Sequence, residues 1–386
     1  MRTFSDAERR QRLVRRQFLS LPDTVSGVTA TLVGLHATDP ATPFLSLWAR
    51  CRGFGVADLE HELYQNRSVV RHLAMRRTLW VVCVDDLSAV QSAASDRVAA
   101  NEHRRLVADV GKAGVASDGE RWLAKACTAV VGHLDRHGPL SSTELRSALP
   151  EIAGIYDPAP GKPWGGMVPL APRVLTVLAA RGEILRGPND GAWTTSRPRW
   201  VLTTAWLGER DIGANAHAEL TRRWLYTFGP ATVTDIKWWF GTTATATRQA
   251  LSDIGAVDVE LSTGRGYALP DDLAREPDVG PIAALLPGLD ATTMGWSDRD
   301  WYLGVHRGRV FDRSGNAGPT AWWDGRIVGG WHQDGDARVQ LQLLEDPGRD
   351  GRKALQQRAA ELTAWLDGTQ IRPRFPSPLS KTAVTR

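Results

Sequence analysis

Apolar and polar positions change their spacing several times along the chain, and each change marks an element. Residues 5–20 open with Ser5-Asp6-Ala7-Glu8, a capping box, and continue as an arginine-rich amphipathic helix. In "LVGLHATDPAT" (32–42) an apolar run stops at Leu35, His36 and Thr38 stand two residues apart, and Asp39-Pro40 ends the segment. Positions i and i+2 on extended backbone face the same side. "TPFLSLWARC" and "GVADLEHELYQ" then read as short helices joined by Arg52-Gly53-Phe54-Gly55. "SVVRHLAMRRTLWVVCV" alternates apolar and polar residues around Met75-Arg76-Arg77, as a β-hairpin does.

Two helices followed by a short hairpin form the winged-helix pattern, and the pattern recurs. His137-Gly-Pro-Leu-Ser-Ser-Thr-Glu-Leu145 aligns with Phe228-Gly-Pro-Ala-Thr-Val-Thr-Asp-Ile236, 91 residues on. In each copy a helix ends before Gly-Pro and a Ser or Thr caps a short new helix. A long helix precedes each copy ("GERWLAKACTAVVGHLDRH", "NAHAELTRRWLYTF"), and a further helix follows ("MVPLAPRVLTVLAARG", "TATATRQALSDIG"). Each copy closes on a hairpin, "EILRGPNDGAWTTS" or "AVDVELSTGRGYAL". The expected fold class is therefore α+β, mainly α: winged helices at 1–85, 86–200 and 201–272, then a domain at 273–386. "LPDDLAREPDVGP" reads as a linker into that last domain. There, short β-like runs rich in Gly and Trp predict a small sheet or barrel closed by the helix "GRKALQQRAAELTAWLDG". The tail "IRPRFPSPLSK" reads as irregular.

Composition narrows the function classes. No run of 18 apolar residues exists, and "MRTFSDAERRQRLVRRQF" lacks the apolar core of a signal peptide, so a cytoplasmic protein is expected. Cys51, Cys83 and Cys127 lie far apart without CxxC spacing and read as free thiols. The net charge is +4, yet residues 1–77 alone hold 12 arginines against 7 acids, and no lysine. Arginine grips planar anions through paired hydrogen bonds, so a nucleic acid is the first candidate partner. The alternative for "RRQRLVRR" is the solvated face of a helix. Most of the 16 tryptophans, including the pairs Trp238-Trp239 and Trp322-Trp323, are expected as core anchors.

No P-loop, GxGxxG, GxSxG or HExxH occurs. His217-Ala-Glu219 starts a zinc-deaminase signature, but no PCxxC follows and its neighbours read as a helix face. The nine histidines show no metal-ligand spacing, so neither metal nor cofactor is expected. Arg307, Arg309 and Arg313 flank "GRVFDRSGNAG", a hairpin expected in the C-terminal sheet. They read as exposed strand charges, or, with Asn316, as a hairpin that enters a DNA groove. Arg50, Arg52, Arg76 and Arg77 join them as candidate DNA contacts. Spacing alone leaves His36 and Thr38 either as the polar border of a loop or as a functional pair.

Five segments, in order, resemble the winged-helix DNA glycosylases of the AlkZ/YcaQ kind. They are "LVGLHATDPATPFLSLWAR", "VVRHLAMRRTLWVV", "FGPATVTDIKWWFG", "LLPGLDATTMGWSDRDWYL" and "FDRSGNAGPTAWWDGRIVGGWHQ". The resemblance implies three tandem winged helices plus a β-barrel around duplex DNA. It also implies hydrolysis of the N-glycosidic bond of alkylated purines, including interstrand crosslinks and bulky natural-product adducts, in a self-resistance role. It places the catalytic pair at His36 and Thr38. Relatives carry Gln-x-Gln or Gln-x-Asp there, and Trp80 stands where a smaller or polar residue is expected.

The chemistry accommodates the exchange, because a purine alkylated at N7 of guanine or N3 of adenine is already a cationic leaving group. The enzyme has to position a water and stabilise an oxocarbenium-like sugar. His36 would orient that water and accept its proton, and Thr38 would hold the same water or fix the imidazole. Asp39 would add electrostatic support or cap the helix "PATPFLSLWAR", with Pro40 in its first turn. Without lysine in residues 1–77 a Schiff base is disfavoured there, so a monomeric, monofunctional enzyme is expected. The rival is a non-catalytic winged-helix regulator reading the major groove. "VADLEHELYQ", with Asp58, Glu60 and Glu62, suits that task poorly. A helical protein-interaction platform would leave the arginine excess unexplained.

Overall fold

The computed structural model describes residues 1–384 apart from 18, 20–22, 164 and 209–215. It divides into two compact units, Met1–Glu60 with His217–Arg386, and His61–Ala216. Helices alternate with small, mainly antiparallel sheets, and no described helix is long and apolar enough to cross a membrane.

In the first unit the opening helix runs Asp6–Arg16, and the capping box is made in full. The Ser5 hydroxyl accepts the Glu8 N–H, and the Glu8 carboxylate accepts the Ser5 N–H. The expected end of this helix, at 18 and 20, lies outside the described residues. Its arginines do not face a solvent-borne polyanion. Arg12 donates to the Asp272 carboxylate (2.8 Å) and to the carbonyls of Asp272 and Ala274. Arg16 grips both oxygens of Asp272 at 2.6 Å and also reaches Glu276. Arg9 lies over the Trp301 ring, 4.1 Å from its centroid. A buried guanidinium must satisfy its donors, and the acids of the 269–281 stretch supply acceptors. That stretch is therefore a strap bound to the first helix, not a spacer.

The repeat is visible in hydrogen bonds. Helix Ala216–Phe228 stops at Gly229-Pro230, and Thr232 with Asp235 forms the box that starts helix Val233–Phe240. Helix Ala244–Asp253 and the hairpin Val257–Leu261/Gly264–Ala268 follow, and Arg2–Thr3 pairs in parallel with the first of these strands. In the second unit, helix Gly119–His137 stops at Gly138-Pro139, and Ser141 with Glu144 forms the matching box on helix Ser142–Ala148. Helix Ala171–Ala180 and the hairpin Ile184–Asn189/Pro198–Leu202 complete it. In both copies the segment after Gly-Pro pairs with the second strand of its hairpin, Leu140 with Trp200 and Ala231 with Tyr267.

The second unit also contains the hairpin Val69–Leu73/Leu79–Cys83, which joins the other hairpin through Arg71 and Arg186. Its tip places Arg76 (φ 56°) and Arg77 (φ 61°) in the left-handed region. Such tips favour Asn-Gly, since a side chain there costs about 1–2 kcal/mol per residue. Below, Leu106, Val110, Leu123, Val130, Leu134, Val174, Leu178 and Ile184 form one buried core.

The core of the first unit is aromatic. Trp224 stacks on Phe228 (5.1 Å), Phe228 meets Trp239 (4.8 Å) and Trp296 (5.3 Å), and Trp296 meets Trp301 (4.9 Å). Of the two tryptophan pairs, Trp239 and Trp322 are buried, as anchors should be.

The C-terminal strands Ala283–Leu286, Thr320–Trp323, Arg326–Gln333 and Val339–Leu343 form an antiparallel meander in chain order. Among the described residues no strand pair joins its two edges, so the expected barrel is an open sheet. Helix Gly348–Leu366 packs along it. The arginine-flanked segment is no hairpin of this sheet. Arg307–Val310 is a helical turn, and Phe311 bridges Ala317 across a turn centred on Asp312. That carboxylate accepts the N–H groups of Ser314 and Asn316 and the Asn316 amide. The tail is irregular only to residue 377, and helix Pro378–Val384 follows.

Candidate active site

The segment before His36 is shaped by how its helix ends. Helix Val25–Thr31 is capped at its start by Thr24, whose hydroxyl accepts the Gly27 N–H. At its end the Val33 N–H bonds to the Ala30 carbonyl and the Gly34 N–H to the Thr29 carbonyl, a Schellman motif. Glycine is the usual residue in the left-handed position of that motif, yet Val33 occupies it at φ 53°. A β-branched residue held there is strained, and strain of this kind gathers at functional sites. The corner delivers the chain into the short strand Leu35–His36.

His36 is 3% exposed, and its Nδ1 accepts the backbone N–H of Thr38 at 3.4 Å. An acceptor nitrogen carries no proton, so the neutral ring holds its N–H on Nε2. The imidazole and Thr38 are thus coupled through backbone, and Nε2 is a donor.

Asp39 is buried and ties two chain segments together. Its Oδ1 accepts the Ala41 N–H (3.2 Å) and its Oδ2 accepts the Arg374 N–H (2.8 Å). Burial pushes this carboxyl above the ordinary aspartate range, opposed by the Arg374 and Ala41 hydrogen bonds and the Arg374 charge. The helix that follows is Thr42–Trp48; Ala41 occupies its N-cap without a side-chain bond, and Pro43, not Pro40, lies in its first turn. Asp39 is therefore not the helix cap. A more distant amide, from residue 374, competes for its second oxygen.

Helix Thr42–Trp48 is fixed to the 288–292 segment along its length. Thr42 donates to the Gly288 carbonyl (2.7 Å) and Ser46 to Asp290 (2.6 Å). Arg50, with no side-chain exposure, places five donor contacts: one each on the carbonyls of Gln17 and Ser46, two on Asp290 and one on Thr292. A guanidinium has five N–H groups, so none remains for a phosphate. Arg50 is a structural residue, contrary to the sequence-based expectation.

The other expected DNA contacts differ in environment. Arg52, Arg307, Arg309 and Arg313 are exposed. Arg77 is half-exposed but bidentate to Glu102 (2.6 and 2.9 Å), and Arg76 shares its tip. The Asn316 amide is turned onto Asp312 at 2.9 Å. His217 is half-buried with its ring edge-on to Phe240, and Glu219 pairs with Arg223, so that motif is a helix face. No group of three or more potential metal ligands occurs among the described residues. Burial pushes the thiols of Cys51 and Cys127 up to about 11, which suits inert cysteines. Trp80 is fully buried, its Nε1–H on the Thr78 hydroxyl (2.8 Å), so the bulky residue fills space.

One cation beside the pair was not expected. The exposed Arg374 donates through Nη1 to the Thr38 carbonyl at 3.3 Å. Its only sequence signal is the alternation of arginine and proline in "RPRFP", which composition alone assigns to an irregular tail.

Comparison with known proteins identifies the family and the fold. The family described as DNA glycosylase AlkZ-like matches residues 29–365. A curated relative, the interstrand DNA cross-link repair glycosylase of Streptomyces sahachiroi, is 26% identical over 199 residues. That match covers 49% of this chain and 53% of the relative, so the chain spans about half the length of the curated protein it matches. The solved structure of Streptomyces sahachiroi DNA glycosylase AlkZ superposes with a TM-score of 0.72 at 22% identity, over 96% of this chain and 98% of that one, and so has the same fold. With the family match spanning the His36 segment, both repeats and most of the C-terminal sheet, the chain belongs to the AlkZ-like DNA glycosylase family.

Proposed function

We propose that this protein is a monofunctional DNA glycosylase that hydrolyses the N-glycosidic bond of bulky N7-guanine or N3-adenine adducts in duplex DNA. Interstrand crosslinks belong to the same substrate class, and self-resistance to a genotoxic natural product is the role such a substrate suggests. In this reading the helix–helix–hairpin repeats act as winged helices at 1–85, 86–200 and 201–272, with 273–386 as the final domain. The enzyme works as a cytoplasmic monomer without metal or cofactor.

The observation that carries the reading is the Thr38 N–H bond to His36 Nδ1 at the end of a strained corner, within the family match. A bond that fixes ring angle and tautomer preorganises a donor, and preorganised dipoles act most strongly where water is excluded. His36 Nε2–H then orients the attacking water or the departing base by donation. Thr38 Oγ1 accepts from the same water. Asp39, beneath them, supplies the negative charge that an oxocarbenium-like sugar needs. An alkylated purine leaves as a neutral base with the glycosidic electron pair, so no general acid is required; the added water releases its proton to solvent once the C–O bond has formed, and Nε2–H as donor replaces the expected general base.

Duplex DNA carrying a defined N7-alkylguanine, followed by analysis of released base, tests this. Wild type should release the base, and a His36→Ala, Thr38→Ala double variant should do so at least about 100-fold more slowly, the lower range for losing positioned donors. Equal release from both would remove the pair from the mechanism. Tight binding to one undamaged sequence without base release from any adduct would favour a regulator.

A further inference from the structure

The C-terminal strap is fastened to the candidate pair by its backbone, which leaves one side chain for another task. Gln333 acts as a clamp at the start of the strap: its Nε2 donates to the Thr369 carbonyl (2.9 Å) and its Oε1 accepts the Ile371 N–H (2.7 Å). Asp39 holds the next point through the Arg374 N–H (2.8 Å). Beyond it Leu379 is buried, packed close to Gly330, and Pro373, Pro376 and Pro378 restrict the backbone between anchors. The guanidinium of Arg374 contributes little to this fastening. It is exposed, reaches the Thr38 carbonyl at 3.3 Å and lies 6.0 Å from the centroid of the neighbouring Phe375 ring.

We infer that Arg374 is a phosphodiester-binding residue that seats the DNA backbone beside His36 and Thr38. The inference rests on the proposed glycosylase reading and adds a contact to it. A cation beside a sugar that is becoming cationic would oppose reaction, and Asp39, whose charge faces Arg374, is already committed to two backbone amides, so the working complex calls for a further anion. A phosphate linked to the reacting nucleotide is such an anion, and a guanidinium fork suits it. Arg374 is a positioning residue: it touches the backbone, and the chemistry remains with the pair.

The test is the salt dependence of binding to undamaged duplex, measured by fluorescence anisotropy, with thermal unfolding and base release followed in parallel. Arg374→Ala keeps the amide that holds the strap, so its unfolding midpoint should match wild type. Its slope of log K against log salt should be shallower by about 0.9, one phosphate contact. Between 50 and 200 mM salt, wild type should therefore lose about 3.5-fold more affinity than the variant. Arg374→Lys should keep the slope, because the charge remains. Gln333→Ala should reproduce the shallow slope with Arg374 intact, because the strap is loosened. An unchanged slope in Arg374→Ala, or a weakened affinity matched by a lowered unfolding midpoint, would overturn the assignment. If wild type shows the Arg374-dependent slope but releases no base, the glycosylase reading fails and the phosphate site stands. If it releases base with the slope unchanged in Arg374→Ala, the reverse holds.

Discussion

Replacing Arg50 with methionine strands a carboxylate. Asp290 has no side-chain exposure, and with Arg50 gone it keeps, among the described residues, the Ser46 hydroxyl and the Thr292 N–H as partners. Removing one partner of a buried pair costs about 3–5 kcal/mol, since a charge is left without compensation. The acceptors on Gln17, Ser46 and Thr292 lose donors as well. Urea unfolding followed by tryptophan fluorescence reads this loss, because the ring cluster of Trp224, Trp239 and Trp296 belongs to the same compact unit. Asp290→Asn removes the charge while nearly keeping the shape, so Arg50→Met, Asp290→Asn should be less destabilised than the two single variants summed, by about 2 kcal/mol, within the coupling expected of residues in contact. If Arg50→Met costs less than about 1 kcal/mol, or the costs simply add, the buried-network account is wrong. Lost DNA affinity at unchanged stability would instead return Arg50 to the phosphate contacts.

Three further outcomes are expected. Burial lowers the His72 pKa to about 4, with a hydrogen bond to Gln91 opposing it and Ser95 at 2.9 Å from Nε2. The unfolded ring titrates near 6.5, so the unfolded state binds more protons between those values, and stability falls as pH drops through that window, by about 3 kcal/mol in all. Urea titrations at pH 7 and 5 should show about 2 kcal/mol of this loss in wild type and much less in His72→Gln; equal losses would contradict it. Asp272→Asn leaves Arg12 and Arg16 without their shared carboxylate, and should destabilise the first unit by about 3 kcal/mol in denaturant melts; a change below about 1 kcal/mol would mean these arginines are solvated after all. Ser141→Ala and Thr232→Ala each remove half of a capping box, and each should cost about 1 kcal/mol by the same assay.

What the sequence revealed was local. The capping boxes at Ser5, Ser141 and Thr232 and the hairpins at 69–83 and 257–268 depend on residues a few positions apart, so their spacing carries the information. The arginines of the first helix could not be assigned this way. Their partners, Asp272 and Glu276, lie about 260 residues away, and a charge count cannot separate a buried guanidinium from an exposed one. Asp39 is not the helix cap because the helix begins only at Thr42, with Ala41 at its N-cap, while the second Asp39 oxygen holds a distant amide at residue 374. The C-terminal strands were legible, whereas barrel closure depends on which edges meet, and the two edges of this sheet stay apart. Only the resemblance singles out His36 and Thr38 as a candidate pair; the bond from the Thr38 N–H to the ring required coordinates.

The central claim is that His36 and Thr38 act together on a cationic base. Single-turnover release of an N7-alkylguanine from duplex DNA, compared among wild type, His36→Ala, Thr38→Ala and the double variant, tests it most directly. The account predicts slow release from both single variants, with the double variant losing less than the product of the two, because both side chains act on the same water. Release at the wild-type rate from the double variant would contradict it.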